Sequence, residues 1–191
     1  VIFKERELWV ITGDDYTDWS LKFIDAVGCY NQSLIVLLNG YIAWVDYRGV
    51  YIWDGANKPI YCSRLIENMF QDDGDIDKSY LARGVGVYYR KYNQIVWALS
   101  HRAKGTQKFL LKMDMRLSLP QISQSLDTRI LEAAFTFDNQ TVGEMYAVAA
   151  FLPSGESDET MFIGDAAGQT FKMYNGTSDN TGSIDFNYKT K

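Results

Sequence analysis

The sequence predicts an all-β chain, built as a β-propeller-like array of four-stranded antiparallel meander blades. The first observation is a stretch of three short apolar runs, residues 33–55, broken by a turn at Asn39-Gly40 and by another that ends in Gly49. Asn-Gly readily supplies the positive φ angles of a tight hairpin. The second is an aromatic content of 15%, which suits a pleated sheet surface. The third observation is that similar turns recur along the chain, each at the end of a group of predicted strands. A β-sandwich built from the same meanders is the alternative fold.

The composition limits the classes of function. The chain has 191 residues, of which 47% are apolar, so it is long enough to bury a core. Its formal net charge of −5 argues against nucleic-acid binding, which needs a basic face to neutralise phosphates. No apolar run approaches the roughly 20 residues of a membrane-spanning helix. We therefore expect a globular chain with no membrane span and no specific nucleic-acid partner.

The two cysteines, Cys29 and Cys62, are too few for a disulfide framework. One bridge between them is an alternative. Free cysteine commonly behaves as a small core residue, so we expect two unpaired, half-buried thiols in a reducing compartment.

The first third of the chain predicts strands followed by a short helix. Residues 1–13 give two short strands with apolar side chains on both faces, which is typical of a pair covered on both sides. Residues 19–25 alternate apolar and polar positions and predict a strand with one buried face. Together with residues 33–55 they make four strands in meander order. Residues 63–70 have apolar side chains at helical spacing after the candidate N-cap Ser63, and predict one or two helical turns.

The remaining two thirds repeat the strand pattern. Three strands are predicted at residues 84–90, 94–100 and 108–115. Residues 116–127 contain Pro120 with several Ser and Gln, and predict an irregular connection. Four further strands are predicted at residues 131–137, 144–152, 161–163 and 170–174. Residues 184–191 then open another strand.

Similar turns end three units about 60 residues apart, at Trp53-Asp54-Gly55, Met113-Asp114 and Tyr174-Asn175-Gly176. Units of four short strands with loops of variable length favour a propeller. We therefore predict a single domain over residues 1–191, with blade pieces at about residues 1–13, 19–55, 63–115, 131–175 and 184–191. Three full blades are too few to close a propeller. We expect either a fragment of a longer chain or a split blade formed by the first and last pieces.

The order of these features resembles the propeller domains of tailed-bacteriophage virion proteins at the head-to-tail joint and tail-tube end, known as stabilisation, tail tubular or nozzle-type proteins. The resemblance is carried by VIFKERELWVITG at the start, by YIAWVDYRGVYIWDG with KPIYCSRLIENM, by RGVGVYYRKYNQIVWAL, and by FIGDAAGQTFKMYNGTSDNTGSIDFNYKTK at the end. It implies a structural collar, neck or tail-tube-end component of the virion, made in the cytoplasm of the bacterial host. It also implies binding to neck, portal or tail subunits, and a homo-oligomeric ring.

An acidic loop gives one candidate metal site. Asp73, Asp75 and Asp77 have the D-x-D-x-D spacing that binds Ca²⁺ through carboxylate oxygens. An EF-hand counted from Asp73 requires Gly at its sixth position and Glu at its twelfth, where this chain has Lys78 and Gly84. We favour a solvated acidic loop, and expect neither a metal nor a cofactor.

Two other loops hold clustered acids, namely Asp14, Asp15 and Asp18 in one and Glu156, Asp158 and Glu159 in the other. Paired carboxylates suit glycoside hydrolysis, with one as acid and the other as nucleophile or base. Loop acids usually face solvent, and His101, the only histidine, has no partner at metal-ligand spacing. We therefore expect no enzyme, and keep a propeller glycoside hydrolase as one alternative function.

Four aromatic residues, Tyr88, Tyr89, Tyr92 and Trp97, suggest a platform on which a sugar ring stacks. Cross-strand aromatic pairs more often stabilise the sheet itself, so we favour packing. A carbohydrate-binding propeller or receptor-binding adhesin is the other alternative function.

Overall fold

The computed structural model describes residues 1–103, 105–122, 129–139, 144–173, 178–179 and 182–183. Over these ranges the chain is mostly strand, arranged in four antiparallel sheets of three or four strands and one two-stranded hairpin. The predicted all-β class is therefore confirmed. The strands of each sheet pair with their neighbours in chain order, so every sheet is a meander, and none of the four described sheets closes on itself.

The strands divide among the sheets as follows. The first sheet contains β1 (Ile2–Phe3), β2 (Leu8–Thr12) and β3 (Ser20–Asp25). The second contains β4 (Val36–Leu38), β5 (Tyr41–Asp46), β6 (Gly49–Trp53) and β7 (Ile60–Tyr61). The third contains β8 (Val85–Tyr89), β9 (Gln94–His101), β10 (Gly105–Asp114) and β11 (Ala134–Asn139). The fourth contains β12 (Met145–Phe151), β13 (Thr160–Asp165) and β14 (Thr170–Lys172), and the hairpin pairs β15 (Ser178–Asp179) with β16 (Gly182–Ser183).

Short helices lie in the connections between strands. Four are 3-10 helices, at Gln32–Leu34, Arg64–Phe70, Lys78–Arg83 and Arg90–Tyr92, and α1 spans Met115–Ile122. The helical turns predicted over residues 63–70 are present, but the Ser63 side chain does not cap them. Its Oγ instead accepts a hydrogen bond from the backbone N–H of Val50 at 3.0 Å. None of the helices in the described part of the chain is long and apolar enough to cross a membrane.

Two strands belong to other sheets than the sequence predicts. Residues 20–25 pair with β2, where Leu21 lies opposite Ile11, so the predicted four-strand unit over residues 19–55 is wrong. Residues 134–139 pair with β10, which completes the third sheet and leaves three strands in the fourth. Local patterns predict the strands but not their partners: β11 pairs with β10 across a long connection that contains α1, and not with β12, which follows it after a short one. The predicted turn over residues 174–176 and the predicted strand over residues 184–191 lie outside the described residues.

The four sheets pack face to face in chain order. The first packs on the second, with the rings of Phe3 and Trp44 5.0 Å apart, edge to face. The second packs on the third, where Trp97 Nε1 donates a hydrogen bond to the carbonyl of Leu34 at 3.0 Å. The third also packs on the fourth, through a separate cluster that includes Val96, Leu110, Met145, Met161 and Ile163. The second and third sheets are therefore buried on both faces.

A close backbone approach joins the first two sheets at Gly28. A Cβ at this position would lie 2.3 Å from the carbonyl oxygen of Lys4 and 2.5 Å from the backbone nitrogen of Arg6. Both neighbours are backbone atoms and cannot rotate away, so only glycine fits. The Gly28 N–H donates to Oδ2 of Asp46 at 2.9 Å, and the Cys29 N–H donates to the Lys4 carbonyl at 2.9 Å.

Candidate interaction surfaces

The acidic loop considered as a candidate calcium site is held by contacts within the chain. Asp77 accepts hydrogen bonds from the backbone N–H and the hydroxyl of Ser79, and so caps the 3-10 helix that begins at Lys78. Asp75 Oδ1 lies 3.8 Å from Nε2 of His101. No group of three acidic, histidine or cysteine side chains in the described ranges could hold a metal. The chelating arrangement suggested by Asp73, Asp75 and Asp77 is therefore not formed.

The acids of the first loop make a turn in which Asp18 accepts hydrogen bonds from its neighbours. The Asp18 carboxylate accepts hydrogen bonds from the backbone N–H of Asp15 at 2.8 Å and of Asp14 at 3.3 Å. These backbone hydrogen bonds lower the pKa of the Asp18 carboxyl. A glycosidase acid needs the opposite shift, because it must keep its proton near neutral pH.

Two acids of the third cluster, Asp158 and Glu159, link the fourth sheet to the third, whereas Glu156 makes contacts within the fourth sheet. Glu159 accepts a hydrogen bond from the Arg90 backbone N–H at 2.6 Å, and Asp158 pairs with Lys91 at 3.2 Å. Glu156 accepts from Lys172 at 2.8 Å and from the Thr160 hydroxyl at 3.0 Å. The hydrogen bond from Lys172 is the main cause that lowers the pKa of Glu156. These acids therefore act as structural links.

The four aromatic residues do not form one platform. Trp97 is fully buried between the second and third sheets, and Tyr89 is 2% exposed and donates to the Glu159 carbonyl at 3.2 Å. Tyr92 stands edge to face with Tyr89, with ring centres 5.2 Å apart. Tyr88 alone reaches the lining of a surface cleft. The packing interpretation holds for Trp97 and Tyr89.

The cleft lies between the β4–β5 hairpin and the end of β8. Its volume is about 430 Å³, and its lining includes Leu37, Tyr41, Tyr88 and Arg90. The Tyr88 hydroxyl donates to Asn93 Oδ1 and accepts from Asn39 Nδ2, so one phenol is held in place. Two phenols beside a guanidinium suit a polar ring-shaped ligand.

The outer face of the first sheet exposes several large apolar side chains. Residues Trp9 and Ile11 of β2 lie opposite Phe23 and Leu21 of β3, and therefore share one face of the sheet. Leu21 is 57% exposed, Phe23 46% and Ile11 42%. Trp19, just before β3, is 62% exposed. The opposite face of the sheet, with Leu8 and Val10, packs into the core.

The outer face of the fourth sheet has small apolar residues at its centre, with Lys172 opposite Phe162 and Thr170 opposite Gly164 on the edge strand β14. Ala149 lies opposite Phe162, and Ala147 lies opposite Gly164, so these residues share a face. Phe151 is 49% exposed and stacks on Phe162 with ring centres 4.7 Å apart. The other face, with Met161 and Ile163, packs on the third sheet. Both ends of the sheet stack thus present apolar faces to solvent.

Sequence reasoning missed both outer faces, although a signal was present. Trp19, Leu21 and Phe23 alternate with polar residues, which predicts an apolar face but assigns it to the core. Exposed apolar patches of a few hundred Å² commonly mark binding surfaces.

Comparison with models of known protein families finds no match, and a search of curated proteins also finds none.

Both cysteines are free and buried, as the sequence predicts, although they lie deeper than half-buried. Cys62 has no exposed surface and Cys29 is 8% exposed. Burial raises the pKa of the Cys29 thiol to about 11, and it also raises the pKa of Cys62. Both thiols are therefore protonated and shielded near neutral pH, so they are poor nucleophiles.

We expect stability to fall as the pH rises above about 9, the ordinary pKa of a cysteine thiol. In that range the unfolded chain releases thiol protons that the folded chain retains, so the free energy of unfolding decreases. Each thiol contributes at most about 1.4 kcal/mol per pH unit. Urea midpoints at two alkaline pH values measure this slope, and Cys29→Ala with Cys62→Ala is the matched control. An equal slope in both proteins would contradict the assignment.

Proposed function

We propose that this chain is a structural component of a tailed-phage virion, placed at the neck or tail-tube end, where it binds neighbouring subunits. Its successive meander sheets are the blades of a propeller-like array in this proposal. The order of sequence features that resembles the phage proteins supports the virion assignment.

One arrangement supports the propeller-like array most directly. The first strands of three consecutive sheets approach one another, because β4 contacts β8 and β8 contacts β12. Each of these strands is an edge of its own sheet, and the strands that follow lie progressively farther from it. Blades of a propeller have this arrangement, with the first strand innermost and the faces of neighbouring blades packed together.

The exposed outer faces of the first and fourth sheets support a structural role in an assembly. A protein that acts alone rarely leaves a Trp, a Leu and a Phe exposed on one sheet surface. A subunit of an assembly buries such a surface against a neighbour, and interface cores are enriched in aromatic residues. The first sheet presents this type of surface through the exposed Leu21 and Phe23, with the exposed Trp19 just before β3 and the half-buried Trp9 on the same face.

Mass spectrometry of purified particles tests this proposal. Virions of the phage that encodes the chain are separated by density gradient and digested, and peptides from this sequence are quantified against a major capsid protein. We expect peptides of this chain in several copies per particle, and at the same ratio after a second gradient. Peptides found only in the infected-cell lysate would contradict the structural role.

A second candidate function is carbohydrate binding at the cleft of Tyr41, Tyr88 and Arg90. The two phenols and the guanidinium favour it, since sugar rings pack on aromatic side chains and charged groups hold their polar substituents. A glycan array probed with the wild-type chain and with Arg90→Ala tests it. Binding that is lost in the variant supports the candidate, and an array without signal above background excludes it.

A further inference from the structure

We propose that the outer face of the first sheet binds the outer face of the fourth sheet in a second copy of this chain. The contact is head to tail, so it joins two different surfaces. This inference rests on the proposed structural role, and it names one neighbour that such a subunit binds.

The order of the sheets gives the first reason. Within one chain each sheet packs a face on the next, and the second and third sheets use both faces. Only the two ends of this described stack leave an apolar face uncovered. A second copy that repeats the same step would bring its fourth sheet against the first sheet of its neighbour. Apolar sheet faces pack in this way at a spacing of about 10 Å.

The sizes of the side chains give the second reason. The first-sheet face is bulky, with Trp9, Leu21 and Phe23 projecting from adjacent strands. The centre of the fourth-sheet face is shallow, since it is formed by Ala147, Ala149 and Gly164. Large residues facing small ones interdigitate without voids. Two copies of the bulky face placed against each other would lack such recesses.

The exposed area is the third reason. Ile11, Trp19, Leu21 and Phe23 together expose on the order of 400 Å², given that an aromatic side chain presents about 150–250 Å². A standard interface buries about 800 Å² on each partner, and transient ones bury less. The apolar face therefore supplies a large part of a weak to moderate interface. Head-to-tail contacts close into rings when the rotation between copies permits.

Charged substitutions test the two surfaces of the proposed contact one at a time. Leu21→Asp alters the first-sheet face, and Ala149→Asp alters the fourth-sheet face. Leu65→Asp is the matched control, because Leu65 is 61% exposed on a 3-10 helix outside both faces. Circular dichroism and urea midpoints verify that each full-length variant is folded. Sedimentation velocity between about 1 and 100 µM then measures self-association.

We expect the wild type and Leu65→Asp to self-associate, and each face variant alone to be at least tenfold weaker. A mixture of Leu21→Asp with Ala149→Asp should form a dimer, because one intact face remains on each partner. A monomeric wild type at the highest concentration overturns the inference. So does self-association of Ala149→Asp at wild-type strength together with a monomeric Leu21→Asp, which indicates a contact between two first sheets. Detection of the chain in virions would still support the structural role.

Discussion

Replacement of Trp97 by alanine is expected to destabilise the chain by about 3–5 kcal/mol. Trp97 is fully buried where the second and third sheets meet, and its indole N–H donates to the Leu34 carbonyl at 3.0 Å. The ring covers Gly86, whose added Cβ would lie 2.5 Å from Trp97 Cδ1. Truncation removes the ring from both sheets and leaves a buried carbonyl without its donor. Urea denaturation measures the loss in the free energy of unfolding. An unchanged m-value indicates that the substitution changes stability and not the surface exposed on unfolding.

Two control variants separate packing from hydrogen bonding at this position. Trp97→Phe retains most of the ring volume but not the N–H, and should cost about 1–3 kcal/mol, the range for an unsatisfied buried group. Trp19→Ala removes the same type of side chain from a site that is 62% exposed, and should change stability by less than about 1 kcal/mol. Equal losses for Trp97→Ala and Trp19→Ala would show that the second and third sheets do not pack as described.

Replacement of Asp46 by alanine is expected to cost about 2–4 kcal/mol and to loosen the first sheet from the second. The Asp46 carboxylate is 3% exposed and accepts hydrogen bonds from the backbone N–H of Gly28 at 2.9 Å and of Arg48 at 2.8 Å. The Arg48 guanidinium in turn donates to the Ala26 carbonyl. Removal of the carboxylate leaves two backbone donors without their acceptor at the junction of the sheets. Hydrogen exchange of residues 1–25 reports the local opening.

Two control variants test this junction. One keeps an acceptor oxygen at position 46, and the other removes an acceptor from an exposed turn. Asp46→Asn keeps a carbonyl oxygen and should lose about half as much stability as Asp46→Ala. Asp54→Ala removes a comparable acceptor, since Asp54 Oδ1 bonds the N–H groups of Ala56 and Asn57 in an exposed turn. Water replaces that acceptor, so a change below about 1 kcal/mol is expected. Faster exchange in Asp54→Ala than in Asp46→Ala would contradict the role of Asp46.

The strands themselves were predictable, but their partners were not. Asn39-Gly40 has φ angles of 41° and 84° and joins β4 to β5, as the dipeptide predicts. The strands predicted over residues 94–100 and 144–152 likewise correspond to β9 and β12. The pattern of residues 19–25 does not say whether the strand pairs with β2 or β4. That choice depends on long-range packing at Gly28 and Asp46, and neither residue has a recognisable local signature.

The helix α1 shows how local signals mislead. Pro120 and the polar residues around it predict an irregular connection, but residues 115–122 are helical. Pro120 is the sixth residue of this helix, where a proline ordinarily removes an i→i−4 hydrogen bond and disfavours the helix. Burial of Met115 and Ile122 at its two ends compensates, and sequence alone does not reveal which apolar residues will find a covered position.

The candidate binding surface was less predictable than the fold, because an apolar sheet face can bind a partner only if the fold leaves it exposed. The acidic clusters are visible in the sequence, yet the partners of Glu156, Asp158 and Glu159 come from a different sheet or strand. The apolar alternation around Leu21 and Phe23 is also visible. Only the fold shows that no sheet in the described structure covers it, which turns a predicted core face into a candidate binding surface.

A cryo-electron microscopy reconstruction of the phage particle in which we propose that the chain resides is the decisive test of the structural role. We expect density at the neck or tail-tube end that fits four consecutive meander sheets, with the face of Leu21 and Phe23 buried against a neighbouring sheet. A reconstruction in which the chain occupies that position but leaves this face in solvent would contradict the proposed binding surface. A particle whose neck and tail densities are fully assigned to other chains would contradict the structural role itself.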